Sequence, residues 1–186
     1  PFECQSDYIA LPKVSSENRK YIPIDYLSKD IIPGDKLFCM QNASLYHFGI
    51  LNSNVHMAWM RAVCGRLEMR YSYSNTIVYN NFPWPTPTEA QKAKIEKTAQ
   101  AILDARALYP YSSLADLYDE VTMPPELRKA HQNNDRAVME AYGFDWRNMS
   151  ESECVAELFK LYQKLVEAEQ SQGEAKPKRA RKKKTE

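Results

Sequence analysis

In the stretch Leu67–Tyr73, LEMRYSY, apolar and polar residues alternate strictly. Drawn out as a strand, Leu67, Met69, Tyr71 and Tyr73 face one side, and Glu68, Arg70 and Ser72 face the other. Neighbours in the second set stand about 7 Å apart, two residues at a rise of about 3.3 Å each. A carboxylate, a guanidinium and a hydroxyl in a row have the chemistry of base-edge reading. Arginine donates two bonds to guanine O6 and N7, and a carboxylate accepts one from cytosine N4. Glu68 and Arg70 together match both halves of one C·G pair. The same residues equally make a solvated strand face whose Glu–Arg pair contributes about 0–1 kcal/mol. Alternation alone favours the solvated face.

Other chemistry is thinly represented. His47, His56 and His131 have no partner at metal or triad spacing and read as core or interface residues. The four cysteines, Cys4, Cys39, Cys64 and Cys154, form no C-x-x-C pair, so neither a zinc site nor a disulfide framework is expected. Residues 80–84, NNFPW, lack the adjacent prolines of an amino-methyltransferase N-P-P-W loop. No Gly-rich loop lies between a strand and a helix, so no nucleotide or S-adenosylmethionine cradle is expected in these residues. Trp59, Trp84 and Trp146 read as packing residues.

The elements that position these residues change character at NNFPWPTPTE, residues 80–89. Before it, DYIALP, KYIPIDYL, DKLFCM and TIVYNNF are rich in Tyr, Ile, Val and Phe and read as strands. Residues 44–64 interrupt them and read as one helix, with Leu45, Phe48, Leu51, Val55, Ala58 and Trp59 on a stripe. After the prolines, Ala, Leu, Glu, Lys and Gln recur at helical spacing. Thr86 and Glu89 fit a capping box for a helix to about Tyr109, and a short helix is expected near Ser113–Tyr118. Pro124 and Pro125 open a helix with Leu127, His131, Asn134 and Val138 on one face, ended by Gly143. Ser150 and Glu153 cap a last one, with Val155, Leu158, Phe159, Tyr162 and Leu165 on one face. The expected class is α+β, a small mixed strand and helix domain followed by an all-α bundle.

Of the 186 residues 44% are hydrophobic and only five are glycine, which suits a globular chain with a real core. No run approaches the roughly 18 apolar residues of a membrane span, and no membrane partner is expected. The opening on Pro1 and the absence of a signal-peptide pattern lead to the expectation of a piece cut from a longer cytoplasmic polypeptide. The net charge of +1 hides an asymmetry. Residues 1–173 hold 18 Lys and Arg against 22 Asp and Glu, while Lys176–Lys184, KPKRARKKK, holds seven basic residues. Such a tail either binds polyanions without sequence preference or simply keeps the chain soluble.

Several phrases carry a resemblance: YHFGILNSNVHMAWMRAVCGRL, YSNTIVYNNFPWP, AILDARALYP, SLADLYDEVTMPPELRKAHQNNDRAV and AYGF. Together they closely resemble the C-terminal region of MmeI-like (Type IIL) restriction–modification enzymes and related adenine methyltransferases, from about Asp7 to Leu165. In that family one polypeptide joins a nuclease, a helical connector, a methyltransferase, a target-recognition domain and a C-terminal helical domain. The resemblance implies a recognition domain over residues 1–85 and a helical domain over 86–170, and the charge composition implies a basic disordered tail over 171–186. It implies double-stranded DNA and the methyltransferase domain of the same polypeptide as partners, and a bacterial cytoplasmic location. S-adenosylmethionine, and Mg where a nuclease is present, would belong to the parent protein and no cofactor to these residues.

The resemblance also bears on the alternating stretch. Members of the family vary there between Glu-x-Arg and Lys-x-Asp, a swap that tracks opposite orientations of one base pair. The Glu-x-Arg of Glu68 and Arg70 implies a C just beyond the methylated adenine on its strand. Lys36 with Ser72 resembles a second reading pair and implies a G one base before that adenine. Arg19, Lys20, Arg61 and Arg66 are expected phosphate contacts, which position a domain without specifying sequence. The contrasting expectation is a helical docking or structural module in which these side chains read nothing.

Overall fold

The protein is described here over residues 4–174 by a computed structural model. In chain order it forms β1 (Tyr8–Pro12), β2 (Val14–Ser15), β3 (Asp25–Leu27), β4 (Leu37–Gln41), α1 (Leu45–Leu51), α2 (Asn54–Val63), β5 (Gly65–Leu67) and β6 (Arg70–Ser72). Four helices follow, α3 (Glu89–Ala107), α4 (Leu114–Leu117), α5 (Pro125–Tyr142) and α6 (Glu151–Glu174). The class is α+β with an all-α second half, as expected. The basic stretch Lys176–Lys184 lies outside the described residues.

Both sheets are antiparallel and three-stranded, ordered β3-β1-β4 and β2-β6-β5. The central strand β1 is a continuous apolar run, and Tyr8, Ile9, Ala10 and Leu11 are all buried. It pairs along its length with β4, from Tyr8↔Gln41 to Pro12↔Leu37. Lys13 then carries the chain from one sheet to the other. Its amide donates to the carbonyl of Lys36 at 3.0 Å, and its carbonyl accepts from the amide of Tyr73 at 2.8 Å.

Four sequence expectations need correction. KYIPIDYL is strand only over Asp25–Leu27, because Pro23 has no N–H and the Ile22 amide points to the Met57 sulfur. TIVYNNF is not a strand but a π-helical turn over Asn75–Tyr79. Its backbone is satisfied without a ladder: Ser74 Oγ accepts from the Ile77 amide, Asn81 Nδ2 donates to the carbonyls of Thr76 and Ile77, and Trp59 Nε1 donates to that of Val78. Residues 44–64 form two helices, broken where Ser53 Oγ takes the His56 amide and starts α2 afresh. The cap of α3 is Thr88 with Gln91 rather than Thr86 with Glu89, since Gln91 Oε1 reaches back to the Thr88 amide at 2.9 Å.

The helical half closes against the strand half through one continuous core that includes Ile9, Phe48, Ile95, Val138 and Leu158. Gly49 explains why α1, α3 and α5 come so close. A Cβ there would stand 2.7 Å from Ile95 Cγ2 and 3.1 Å from Asn134 Oδ1. Buried polar groups fix the register of this seam. Asp135 on α5 accepts from Tyr21 Oη at 2.5 Å and from the Asn54 amide at the start of α2 at 2.7 Å. Arg106 on α3 donates to the Ile24 carbonyl, to Asp25 and to Tyr118 Oη, and Tyr118 in turn meets His131 Nε2 at 2.6 Å.

Candidate nucleic-acid interface

The alternating stretch is a hairpin rather than one strand. Leu67 pairs with Arg70, and Glu68 and Met69 form the two-residue turn between β5 and β6. Glu68 takes φ +58, the hand that the first residue of a type II′ turn needs, although glycine usually supplies it. Glu68 thus leaves the face it was expected to share with Arg70 and Ser72 and rises to the tip. It is nevertheless joined to Arg70, whose Nη2 lies 2.8 Å from its Oε2. Both side chains face solvent.

The reason for the turn lies in its inner side. Tyr71 points inward and is buried, leaving Arg70 and Ser72 on the outer face of β6. Arg66, opposite Tyr71, lays its guanidinium over that ring at 4.1 Å and donates to the Met69 carbonyl at 3.0 Å. Below the hairpin, Tyr73 is held by a buried imidazole: Tyr73 Oη and His56 Nε2 are 2.9 Å apart, and His56 Nδ1 meets the Leu51 carbonyl. Burial pulls the His56 pKa down to about 4, so the ring is neutral and acts as a fixed hydrogen-bond post. A rigid base thus carries a charged tip.

Lys36 sits in an exposed turn ahead of β4. Because Lys13 bonds both the Lys36 carbonyl and the amide of Tyr73, next to Ser72, the turn of Lys36 and the foot of the hairpin flank one residue. Val14, opposite Ser72, completes the outer face. The expected phosphate contacts scatter. Arg66 belongs to the hairpin as described. Lys20 is exposed beside the Tyr21 ring, and Arg19 borders a shallow hollow shared with the acidic Asp119 and Glu120. Arg61 directs its fork at Glu151 of α6, at 2.8 and 2.9 Å, with its remaining nitrogen on the Lys20 carbonyl.

Residues 2–86 match the family model of the MmeI target recognition domain, and residues 87–168 match that of the MmeI C-terminal domain. The chain belongs to the MmeI family. DNA methyltransferase A of Bacillus subtilis (strain 168) is 41% identical over 159 residues, which is 86% of this chain and 18% of that protein. A solved structure of the Type IIL restriction–modification enzyme MmeI in complex with DNA is similar at 47% identity and a TM-score of 0.85, over 89% of this chain and 22% of that one. The chain spans roughly a fifth of the length of these relatives.

Within this MmeI-family chain, the residues that sequence reasoning missed are those that tie the hairpin loops and the two halves together. Lys13 ties the two loops together, and no periodicity marks it. Arg106 had a signal: it extends the stripe of Ile95, Ala99 and Ile102 by a further four residues, a charged side chain on an apolar face. Asp135 lies beside Asn134 on the buried face of α5 and had the same one.

Proposed function

We propose that this chain is the DNA-reading module of a bacterial adenine-N6 methyltransferase of the restriction–modification type. It reads base edges and sets the target adenine before a methyltransferase domain elsewhere in the same polypeptide. The observation that carries this reading is the hairpin tip, where a carboxylate and a guanidinium stand free to solvent on an anchored base. Arg70 donates to guanine O6 and N7, while Glu68 accepts from the N4 of the paired cytosine. Arg70 Nη2 and Glu68 Oε2 stand 2.8 Å apart, side by side as the two halves of one base pair require, and so exposed a pair is cheap to open onto the bases. Lys36 and Ser72, flanking Lys13, read a second position, with lysine on a guanine.

Arg19, Lys20 and Arg66 are the phosphate contacts, with Arg61 joining them only if it leaves Glu151. S-adenosylmethionine is the methyl donor of the whole protein, with Mg where a nuclease is attached. Both are held by residues outside this sequence, and the protein works in the cytoplasm. Since the target base must be flipped into that other domain, this module grips a distorted duplex.

The test is on the full-length protein: the methylated motif in host DNA, read by single-molecule sequencing for wild type and for Glu68→Lys with Arg70→Asp. The expected result is a switch from C to G at the base after the methylated adenine. An unchanged motif with methylation retained makes Glu68 and Arg70 an ordinary surface pair and removes the assignment.

A further inference from the structure

Four exposed residues make the hairpin tip: Glu68 and Arg70, which the pairing above accounts for, Leu67 opposite Arg70, and the most exposed apolar residue of the turn itself. That residue is Met69, 70% exposed at the second turn position, against 49% for Leu67. A lone exposed apolar residue is ordinary on a protein surface. Met69 differs in its placement. It stands between Glu68 and Arg70, which are bonded to one another at 2.8 Å, and its own carbonyl is pinned by Arg66 at 3.0 Å. Its side chain is open to solvent at the outermost point of the turn. Whatever surface Glu68 and Arg70 touch, Met69 meets as well.

The chemistry of that surface follows from the reading above, on which this inference rests. Cytosine N4 and guanine O6 and N7 all lie on the major-groove edge. The apolar feature of that edge is the 5-position of a pyrimidine, a methyl group in thymine and a hydrogen in cytosine. Apolar wedging between base steps, in contrast, is the habit of minor-groove binders. We propose that Met69 is a further specificity-determining residue, whose thioether side chain packs on the 5-position of a pyrimidine at the read pair or one step from it. Recognition then responds to 5-methylation of that pyrimidine, a modification the Glu–Arg pair does not sense. Methionine suits this contact because its unbranched, polarizable chain adapts to a gap or a methyl group.

The experiment uses the full-length protein and binding to duplexes carrying its motif. Each pyrimidine within one step of the pair read by Glu68 and Arg70 is changed in turn, cytosine to 5-methylcytosine or thymine to uracil. Wild type is expected to change affinity about fivefold at one of these positions, the scale of one methyl-sized apolar contact. Met69→Ala should weaken binding to the unmodified duplex by a similar factor and lose most of the response to modification, whereas Met69→Leu should keep both. A wild type indifferent at every position, or a Met69→Ala protein with the wild-type response, overturns the proposal. Arg70→Ala, measured alongside, separates the two readings. If it relaxes preference at the C·G pair while Met69→Ala changes nothing, only the Met69 proposal falls. If Arg70→Ala leaves the preference intact, the base-reading itself falls and Met69 with it.

Discussion

Arg70 and Arg106 are both arginines paired with a carboxylate, and they sit in opposite surroundings. The Arg70–Glu68 pair lies at a hairpin tip with side chains 48% and 77% exposed. The Arg106–Asp25 pair lies in the seam between the two halves, with side chains 8% and 31% exposed. Water and salt screen the first pair, so its two members are cheap to separate and can turn to other partners. The second is one bond of a network in which Arg106 also serves Ile24 and Tyr118 and lies over the Phe48 ring. Removing one member there leaves buried polar groups without partners. The two pairs divide the labour: the seam binds the two halves of the molecule, and the hairpin carries charges that are cheap to redirect.

The largest effect is expected at the seam. Arg106→Ala is expected to cost about 3–5 kcal/mol, the usual penalty for halving a buried pair, and for a chain of this size to lower Tm by roughly 10 °C. Arg106→Lys should recover little, since one ammonium cannot reach Ile24, Asp25 and Tyr118 together. A loss below about 1 kcal/mol in urea unfolding would show that the seam is held by apolar packing alone.

Acidification is the next largest effect. Burial lowers His56 to about 4 and His131 to about 3, from 6.5 in an exposed chain. Below pH 6.5 the unfolded chain takes up two protons that the folded one refuses, so stability falls as pH falls. Asp135 works the other way. Burial raises its carboxyl to about 6 from 3.8, so between those values the folded state holds the extra proton and gains stability on acidification. Between pH 7.5 and 5 the two histidines together cost about 4 kcal/mol and Asp135 returns about 1. Unfolding free energies should therefore drop by about 3 kcal/mol over that range. His131→Gln should flatten the profile by about half of the histidine contribution.

Sequence legibility follows the same division. The helices of the second half were readable because their signals are local: Gly143 does end α5 with φ +73, and Ser150 with Glu153 does cap α6. Leu127, His131, Asn134 and Val138 are all fully buried, as the spacing required. The hairpin was misread because its turn carries no turn residue. Glu68-Met69 interrupts neither the alternation nor the composition, and only tertiary anchoring through Tyr71 and Arg66 holds Glu68 at positive φ. The π turn at Asn75–Tyr79 was hidden likewise, since its β-branched and aromatic residues have strand propensity and the bonds that override it come from distant Trp59 and nearby Asn81. Glu68 and Arg70 stood out as candidates, but alternation alone had placed Glu68 on the wrong element.

At the tip the expected effects are on recognition rather than stability. Arg70→Ala should relax preference at one base pair by about 1–3 kcal/mol while changing unfolding free energy by less than about 0.5 kcal/mol. A stability loss comparable to that of Arg106→Ala would erase the contrast between the two arginines. Competition binding against the four variants of that base pair, with urea unfolding of the same protein, measures both.

The smallest effect concerns a pair intermediate between these extremes. Arg61, 22% exposed, grips Glu151, 53% exposed, across the two halves. Glu151→Ala should cost at most about 1 kcal/mol of stability, because one end of the pair is open to water. Its value lies in what it releases. Arg61 directs its nitrogens to Glu151 and to the Lys20 carbonyl, beside the exposed Lys20 ammonium. If Arg61 can serve as a phosphate contact, removing Glu151 frees a guanidinium and also deletes a negative charge near the duplex. DNA affinity of the full-length protein should then rise, and the slope of log K against log salt should steepen by about one phosphate's worth. Loss of the carboxylate alone, with Arg61 still turned inward, raises affinity without changing the number of phosphates neutralised, so the slope decides between the two. An unchanged slope would place Arg61 with Arg106, as a brace between the halves rather than a phosphate contact.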